Sequence, residues 1–343
     1  MKNKKPFIIA EMSGNHNQSL KRALRLTDIA ASIGVDAIKL QTFKPEEMTL
    51  NIRKREFLLR NNKIKGIWRN KTLYEIFKKA QTPWAWHKKI FDRAKKRGIK
   101  FFSTPFDERA VDFLENLKVP FYKIASAENI HFPLLKKVAQ TGKPIIISTG
   151  MINIKELDEV VSFVRRCGCK NITLLKCTTG YPASSKDSNI LTIPYLKKRY
   201  KCNVGLSDHT LGIGASIAAI AQGATVIEKH LTISRNDGAI DSFFSLEPEE
   251  FKMLVKESQN AYESLGRVQI RPSQSEKKYL KYRRSIYVVE NINENERFTK
   301  KNLKIIRPGL GLHPKYYNLI IGKKAKKNIK KGTALKLNII KSR

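Results

Sequence analysis

NVGLSDHTLGIGASIAAIAQGATVIEKH, residues Asn203 to His230, holds one complete structural unit. It opens on an extended run, Asn203–Ser207, and passes a polar turn, Asp208-His209-Thr210. Apolar residues three and four apart then cover Ile213–Ala221, and a β-branched run, Thr225–His230, closes the unit. A strand period, a helix period and a second strand period describe a crossover between two parallel strands.

The same grammar extends outward toward the N-terminus. Further runs lie at Phe7–Ala10, Ala37–Thr42, Lys100–Thr104, Phe121–Ser126, Pro144–Thr149 and Ile172–Cys177. Helical stretches such as Leu20–Ala31, Trp86–Lys96, Ala110–Leu117 and Ile154–Arg165 separate them. Eight strands alternating with helices predict an α/β fold closed into a (β/α)8 TIM barrel. An open doubly wound sheet is the alternative, weakened because no Gly-x-Gly-x-x-Gly turn follows the first run. The connection from Lys44 to Thr82 is long, contains Trp68 and Tyr74, and is expected to form a lid or a substrate wall.

Residues 1–266 are therefore expected to form the barrel domain, and the polar, basic residues 267–282 a linker. Residues 283–343 should fold as a small, largely β domain, with short strands at Ser285–Val289, Thr299, Lys304–Ile306 and Leu335.

The chain has 343 residues, 41% of them apolar and 28% charged, which supports a full core and excludes a disordered chain. Cys167-Gly-Cys169 is spaced too closely for a zinc pair, and Cys167, Cys169, Cys177 and Cys202 are expected to be reduced thiols, Cys177 in the core. The apolar run near Met1–Ala10 is too short for a signal peptide, and Ile213–Ile227 falls short of the ~20 residues of a membrane span. A soluble, cytoplasmic protein without a membrane partner is expected. The net charge of +37 comes from lysines scattered along the chain rather than from a recognition element. It is expected to coat solvated faces, and nucleic-acid binding is the rival class.

Barrel chemistry sits at the C-terminal strand ends. Those ends are Glu11 with Asn15 and His16, Lys39-Leu-Gln41-Thr42, Ser103-Thr104, Lys123-Ile-Ala-Ser126-Ala-Glu128, Ser148-Thr149-Gly150, Lys176-Cys177-Thr178-Thr179, Ser207-Asp208-His209 and Glu228-Lys229-His230. Lysines with at least six hydroxyls around one mouth predict a site for a phosphorylated, carboxylated anion. Strand-to-helix junctions are often polar for capping alone, which covers Ser103, Thr149 or Asp208 singly. It does not cover lysines inside apolar strands, as at Lys39 and Lys123. His209 and His230 close neighbouring strands beside Glu228, Asp208 and Asp241, and are expected to converge on a divalent metal, Mn2+ or Mg2+, with Co2+ as a third choice. His87 and His131 are expected at the surface.

The segments Phe7-Ile-Ile-Ala-Glu11-Met-Ser-Gly-Asn15-His16, Phe102-Ser-Thr104-Pro-Phe106, Tyr122-Lys-Ile-Ala-Ser126-Ala-Glu128, Ile147-Ser-Thr-Gly150, Gly205-Leu-Ser-Asp-His209 and Val226-Ile-Glu-Lys-His230 resemble, in order, the motifs of the sialic acid synthase family. The tail, from Arg307-Pro-Gly-Leu-Gly-Leu-His313 to Gly332, resembles that family's C-terminal domain, which is similar to type III antifreeze protein. Gly66-Ile-Trp68, Leu73-Tyr-Glu-Ile76, Thr82-Pro-Trp-Ala-Trp-His87 and Gly311-Leu-His-Pro-Lys-Tyr-Tyr317 resemble its pseudaminic acid synthase branch.

The resemblance implies condensation of phosphoenolpyruvate with an N-acetylated amino sugar, 2,4-diacetamido-2,4,6-trideoxy-L-altrose in that branch. Legionaminic and N-acetylneuraminic acid synthases, which use manno-configured sugars, are the alternative. It further implies that Lys39, Thr104, Lys123, Ser126, Thr179 and Ser207 hold phosphoenolpyruvate. Gln41, Trp68, Glu128, Tyr181 and Asp241 would hold the sugar, and Glu11 would act at the reacting carbon. Arg307 would reach the sugar from the partner's tail in a domain-swapped homodimer. Trp68 and Thr179 stand where members using N-acetylmannosamine carry asparagines.

Overall fold

The computed structural model describes residues 5–59, 68 and 70–341. Eight parallel strands close into a barrel in chain order. The first half runs β1 (Phe7–Glu11), α1 (Leu20–Ile33), β2 (Ala37–Thr42), α2 (Pro45–Met48), α3 (Leu73–Ala80), α4 (Trp84–Lys96), β3 (Lys100–Pro105), α5 (Glu108–Asn116) and β4 (Tyr122–Ile124). The second runs α6 (Phe132–Gln140), β5 (Ile145–Ser148), α7 (Ile154–Arg166), β6 (Ile172–Cys177), α8 (Thr192–Tyr200), β7 (Asn203–Asp208), α9 (Gly214–Ala221), β8 (Val226–His230) and α10 (Pro248–Leu265). Closure pairs β8 with β1, placing His230 opposite Glu11, which in turn lies opposite Lys39 on β2.

Local sequence chemistry sets these boundaries. Ser19 caps α1 by accepting from the Arg22 amide, and Gly34 ends that helix at φ 89°. Asp107 accepts from the Ala110 amide, so α5 begins at Glu108. Reciprocal capping boxes start α3 at Thr72/Glu75 and α7 at Asn153/Glu156. Strand alternation divides the side chains: Ile8, Ala10, Ile38, Leu40, Ile145, Ile147, Val204 and Ile227 face the helices in the main core. The opposite parity, Ile9, Ala37, Phe102, Ile146, Leu175 and Val226, fills the lower barrel interior with Phe7 and Phe121. At Gly205 a Cβ would lie 2.1 Å from the Val226 carbonyl oxygen, so this crowded position requires glycine.

Two parts of the long connection after β2 pack over the rim. Phe43, Ile76 and Ala80 bury against Ile240 from the loop after β8, with Trp68, Phe77 and Phe106 at the margin. Gly66 and Ile67 lie outside the described residues.

The chain divides into two compact units, up to Gly266 and from Arg267 onward. The second contains α11 (Gln274–Lys277), β9 (Ser285–Val288), an antiparallel β10 (Leu303–Ile306) and α12 (Tyr317–Ile320). Ile286, Val288, Phe298, Leu303, Ala325 and Leu335 anchor its own core. Around Leu335 pairing is limited to a single bridge, Tyr287 to Ala334, in place of the expected strand. Among the described residues, no helix is long and apolar enough to cross a membrane.

Candidate functional site

Two residues further along each strand lies the layer above the apolar floor, because strand side chains alternate with period two. That layer comprises Glu11, Lys39, Thr104, Lys123, Ser148, Cys177, Ser207 and Glu228, all buried. Lys39 Nζ lies 3.0 Å from Glu11 Oε2 and 3.4 Å from Glu228 Oε2, and donates to Thr104 Oγ1 at 3.2 Å. Lys123 Nζ donates to Ser148 Oγ at 2.7 Å and to the Ile124 carbonyl at 2.9 Å. Its carboxylate contact is the long one, 3.9 Å to Glu228 Oε1. Ser207 donates to that same oxygen at 3.1 Å, and Gln41 Nε2 donates to Glu11 Oε1 at 3.2 Å.

Two ammonium and two carboxylate groups thus neutralise one another where an isolated charge would be costly. Burial pushes the Glu11 carboxyl up to about 7, against the pull of Lys39 and with a push from Glu228. Burial also raises Glu228, but Lys123, Lys39, the Ser207 hydroxyl and His209 hold that carboxyl below its ordinary value. Lys123, desolvated and only partly supported by Glu228, is held below the usual ammonium value. It is the cation of the layer with most to gain from an added anion.

At the rim, the His209 and His230 rings face each other with centroids 5.4 Å apart. His209 Nδ1 lies 3.1 Å from the Thr178 carbonyl oxygen, which can only accept, so Nδ1 carries a proton; against burial, Cys177 and that carbonyl hold the imidazole above its ordinary value. Cys177 Sγ is 3.9 Å from the same nitrogen. His230 Nδ1 is buried without a hydrogen-bond partner. Burial, and then the nearby His209 and lysine charges, push His230 well below its ordinary value and keep it neutral, the form that binds metals.

The unpartnered buried nitrogen of a neutral His230, lying beside a second imidazole, fits a borderline divalent cation. Among the described residues no group of three or more His, Cys, Asp and Glu side chains is arranged to hold one. Two protein ligands would leave the other positions to substrate or water.

Around this pair the remaining candidates fall into three groups. Gly150 N donates to Ser126 Oγ at 3.1 Å, and a Cβ on Gly150 would stand 2.5 Å from Thr179 Oγ1 and 2.6 Å from Ser126 Oγ. The missing side chain leaves a small hydroxyl-lined cradle. Glu128 has a buried, unpartnered Oε2, and burial pushes its carboxyl up to about 7 despite Lys123.

The third group is aromatic. Tyr181 stacks against His209 at 4.7 Å and Phe244 at 5.1 Å, and Trp68 meets Tyr181 at 5.9 Å and Phe243 at 5.6 Å. The Trp68 indole N–H donates to the Ile240 carbonyl at 2.9 Å, so the ring offers its apolar surface. Asp241, next in chain, accepts from the Gly14 amide at 3.1 Å. Arg307 is exposed on the second unit.

Four expectations change. Ser103 points away from the mouth, bonding Thr42 Oγ1 at 2.6 Å behind the sheet. Lys176 also faces outward, donating to the Cys177 carbonyl at 2.9 Å and lining an open cleft of about 760 Å³ beside α7 and α8. Asp208 lies behind the histidines, paired with Lys229 at 2.8 Å. His87, expected at the surface, is fully buried, with Nε2 2.8 Å from Thr42 Oγ1. His131 is exposed and caps α6. Phe243 and Phe244 are residues that strand-end reasoning did not single out for the site, while Ser148, named among the strand ends without a role, is the 2.7 Å partner of Lys123.

The chain matches the NeuB family over residues 26–270 and the SAF domain over residues 283–339. It is 40% identical over 333 residues to the pseudaminic acid synthase of Campylobacter jejuni, covering 97% of this chain and 96% of the relative. The N,N'-diacetyllegionaminic acid synthase of the same organism is 39% identical over 331 residues, covering 95% of this chain and 98% of the relative. The crystal structure of N-acetylneuraminic acid synthetase from Leptospira borgpetersenii, in complex with citrate, superposes with a TM-score of 0.71 at 32% identity, over 81% of this chain and 90% of that one. With its eight-stranded barrel and its C-terminal SAF domain, the chain belongs to the NeuB family.

Proposed function

We propose that the chain condenses phosphoenolpyruvate with 2,4-diacetamido-2,4,6-trideoxy-L-altrose, giving pseudaminic acid and phosphate, as a cytoplasmic carbon–carbon bond-forming transferase. The observation that carries this reading is the inward layer of Lys39, Lys123 and neutral hydroxyls lying below the facing His209 and His230. The 40% identity to a pseudaminic acid synthase supports the choice of sugar.

Lys123, with Lys39, Thr104 and Ser207, binds the carboxylate and phosphate, and the Ser126–Gly150–Thr179 cradle takes anionic oxygens of the same molecule. This fixes one face of the enol against the open-chain aldehyde. The phosphoenolpyruvate C3 forms a bond to the aldehyde carbon, whose oxygen takes up a proton. Water adds at C2, and the C2–O bond then breaks to release phosphate. Glu11, whose carboxyl sits near 7, holds that water, takes its proton and stabilises positive charge at C2. Gln41, bonded to Glu11, together with Glu128, Tyr181 and Asp241, orients the sugar's hydroxyl and amide groups, while Trp68 covers its methyl group. A divalent cation, Mn2+, Mg2+ or Co2+, held by His209 and His230, supplies Lewis-acid polarisation of the aldehyde when bound.

Residues 1–266 carry this chemistry, 267–282 serve as a linker, and 283–343 form the antifreeze-like domain of a homodimer in which Arg307 serves the partner's site. Mixing inactive His209→Ala and Arg307→Ala chains should restore part of the activity if that exchange operates; mixtures as inactive as their components remove it.

The test of the reaction is phosphate release from phosphoenolpyruvate with the L-altrose sugar, its manno-configured diacetamido relative and N-acetylmannosamine. Turnover highest with the first supports the proposal. A preference for the second moves the chain to the legionaminic reading, which its 39% identity to such a synthase keeps in view. No release with any of them refutes both.

A further inference from the structure

β7 and β8 pair through Gly205–Val226, Leu206–Ile227, Ser207–Glu228 and finally Asp208–Lys229. His209 comes one residue after that last pair, beyond the end of β7. His230 is still held, lying opposite Glu11 on β1 while its carbonyl accepts from Leu246 N at 2.9 Å. The direction of His209 therefore depends on what fixes the residues on either side of it.

Both sides are fixed by one buried ion pair. Asp208 and Lys229 have side chains 1% exposed and lie 2.8 Å apart on the outer face of the barrel, behind the two imidazoles. Asp208 Oδ1 accepts from Thr210 N at 2.9 Å and Thr210 Oγ1 at 2.8 Å, and Oδ2 accepts from Ser216 Oγ on α9 at 2.7 Å. Lys229 Nζ donates to the Thr210 carbonyl at 2.6 Å. Thr210 is thus gripped at its amide, hydroxyl and carbonyl, with His209 bracketed between it and Asp208. The carbonyl of His209 itself accepts from Ala183 N at 2.9 Å.

A buried ion pair is often no more stabilising than apolar residues of the same volume. Stability alone therefore does not account for a pair placed at the last tie between these two strands. We infer that Asp208 and Lys229 are positioning residues that set the approach of His209 to His230 and so tune the site for a divalent cation. The inference rests on the proposed metal-binding role of those histidines.

The test is the double variant Asp208→Asn/Lys229→Met, which removes both charges and leaves neither buried alone. Mn2+ affinity is measured by calorimetry, ligand geometry by the visible absorption of the Co2+ form, and phosphoenolpyruvate affinity on metal-free protein together with Tm. The expected result is a fall in Mn2+ affinity of about ten- to a hundredfold and an altered Co2+ spectrum, the range for residues that orient metal ligands from behind. Tm and metal-free phosphoenolpyruvate affinity should stay near the parent values. Should the double variant fold poorly, Ser216→Ala, which frees Asp208 from α9 but keeps the ion pair, should show a smaller fall in the same direction. Parental Mn2+ affinity and Co2+ spectrum in these variants overturn the inference, as does a parallel loss of phosphoenolpyruvate binding. Failure of the underlying metal reading is seen separately, as parent protein that binds no Mn2+ or binds it unchanged after His209→Ala, and it overturns the inference too.

Discussion

Two histidines outside the candidate ligand pair should make the barrel acid-labile, by an amount their surroundings define. The His87 imidazole is buried between the Pro83 carbonyl, 3.3 Å from Nδ1, and Thr42 Oγ1, 2.8 Å from Nε2. His16 uses the opposite tautomer: Nδ1 accepts from Gln18 N at 3.1 Å, and Nε2 donates to Thr82 Oγ1 at 3.1 Å. Burial is the main reason that both are pushed from 6.5 down to about 4. Above the ordinary histidine pKa neither the native nor the unfolded chain carries the extra proton. Below it the unfolded chain takes up protons that the native imidazoles refuse until the pH nears 4, so stability falls as pH falls across that window. Linkage puts the loss at about 2 kcal/mol per histidine between pH 7.5 and 5, roughly 4 kcal/mol for the pair. Urea unfolding followed by tryptophan fluorescence reads the barrel alone, since Trp68, Trp84 and Trp86 all precede Gly266. His87→Gln should remove about half of that pH dependence, and His16→Gln with His87→Gln most of it, whatever their effect at pH 7.5. Carboxylates common to all three proteins cancel in the comparison. A His87→Gln barrel with the full parental pH dependence would refute the reasoning.

Three further outcomes follow from the site. Lys39→Met leaves Glu11 and Glu228 buried without the cation between them and should cost about 3–5 kcal/mol in urea unfolding, partly recovered by adding Glu228→Gln; an unchanged midpoint would show the layer to be less coupled than its distances imply. Gly150→Ala pushes a methyl group onto Ser126 and Thr179, a strain of ~1–3 kcal/mol that should raise the KM for phosphoenolpyruvate about tenfold in steady-state assays, whereas an unaltered KM would separate the cradle from that substrate. Trp68→Asn should lower kcat/KM for the 6-deoxy sugar by about tenfold relative to a 6-hydroxy analogue, and an unchanged ratio would remove Trp68 from sugar selection.

Hydrophobic period is a property of the chain itself, which is why the barrel was largely legible. Ala37–Thr42 and Ile172–Cys177 are strands over the expected residues. The short β4 was harder to bound, because Ser126–Glu128 winds into a 3-10 turn where the β-branched run suggests a longer strand. Facing direction was legible too, but only by parity. Thr104 turns inward, so its neighbour Ser103 must turn outward; the same count sends Lys176 and Asp208 behind Cys177 and Ser207. Polarity at a strand end does not carry that information. His87 lies three residues before Ile90 and seven before Ala94, on the buried stripe of α4, so its burial had a helical-period signal. Phe243 and Phe244 had none: they lie in a three-residue 3-10 turn, Ser242–Phe244, too short to show a period, and only tertiary contact brings Phe243 to Trp68 and Phe244 to Tyr181 and His230.

The inward layer explains how a chain of net charge +37 can bind an anion without relying on its surface. Glu11 and Glu228 are the same side chain at the same height in one barrel, both in contact with Lys39, yet their carboxyls are driven apart. Glu228 has two ammonium groups and the Ser207 hydroxyl, while Glu11 has one ammonium group and a neutral amide from Gln41. Unequal support of equal groups is how a protein separates a carboxylate that stays charged from one able to exchange a proton near neutral pH. Glu228 therefore stays the charged partner of the lysines, and Glu11 is the carboxyl left able to exchange a proton, as its proposed role on water requires. The phosphate and carboxylate of the proposed substrate would meet cations whose charge is balanced from below, beside Lys123, which has only neutral oxygens within hydrogen-bonding distance.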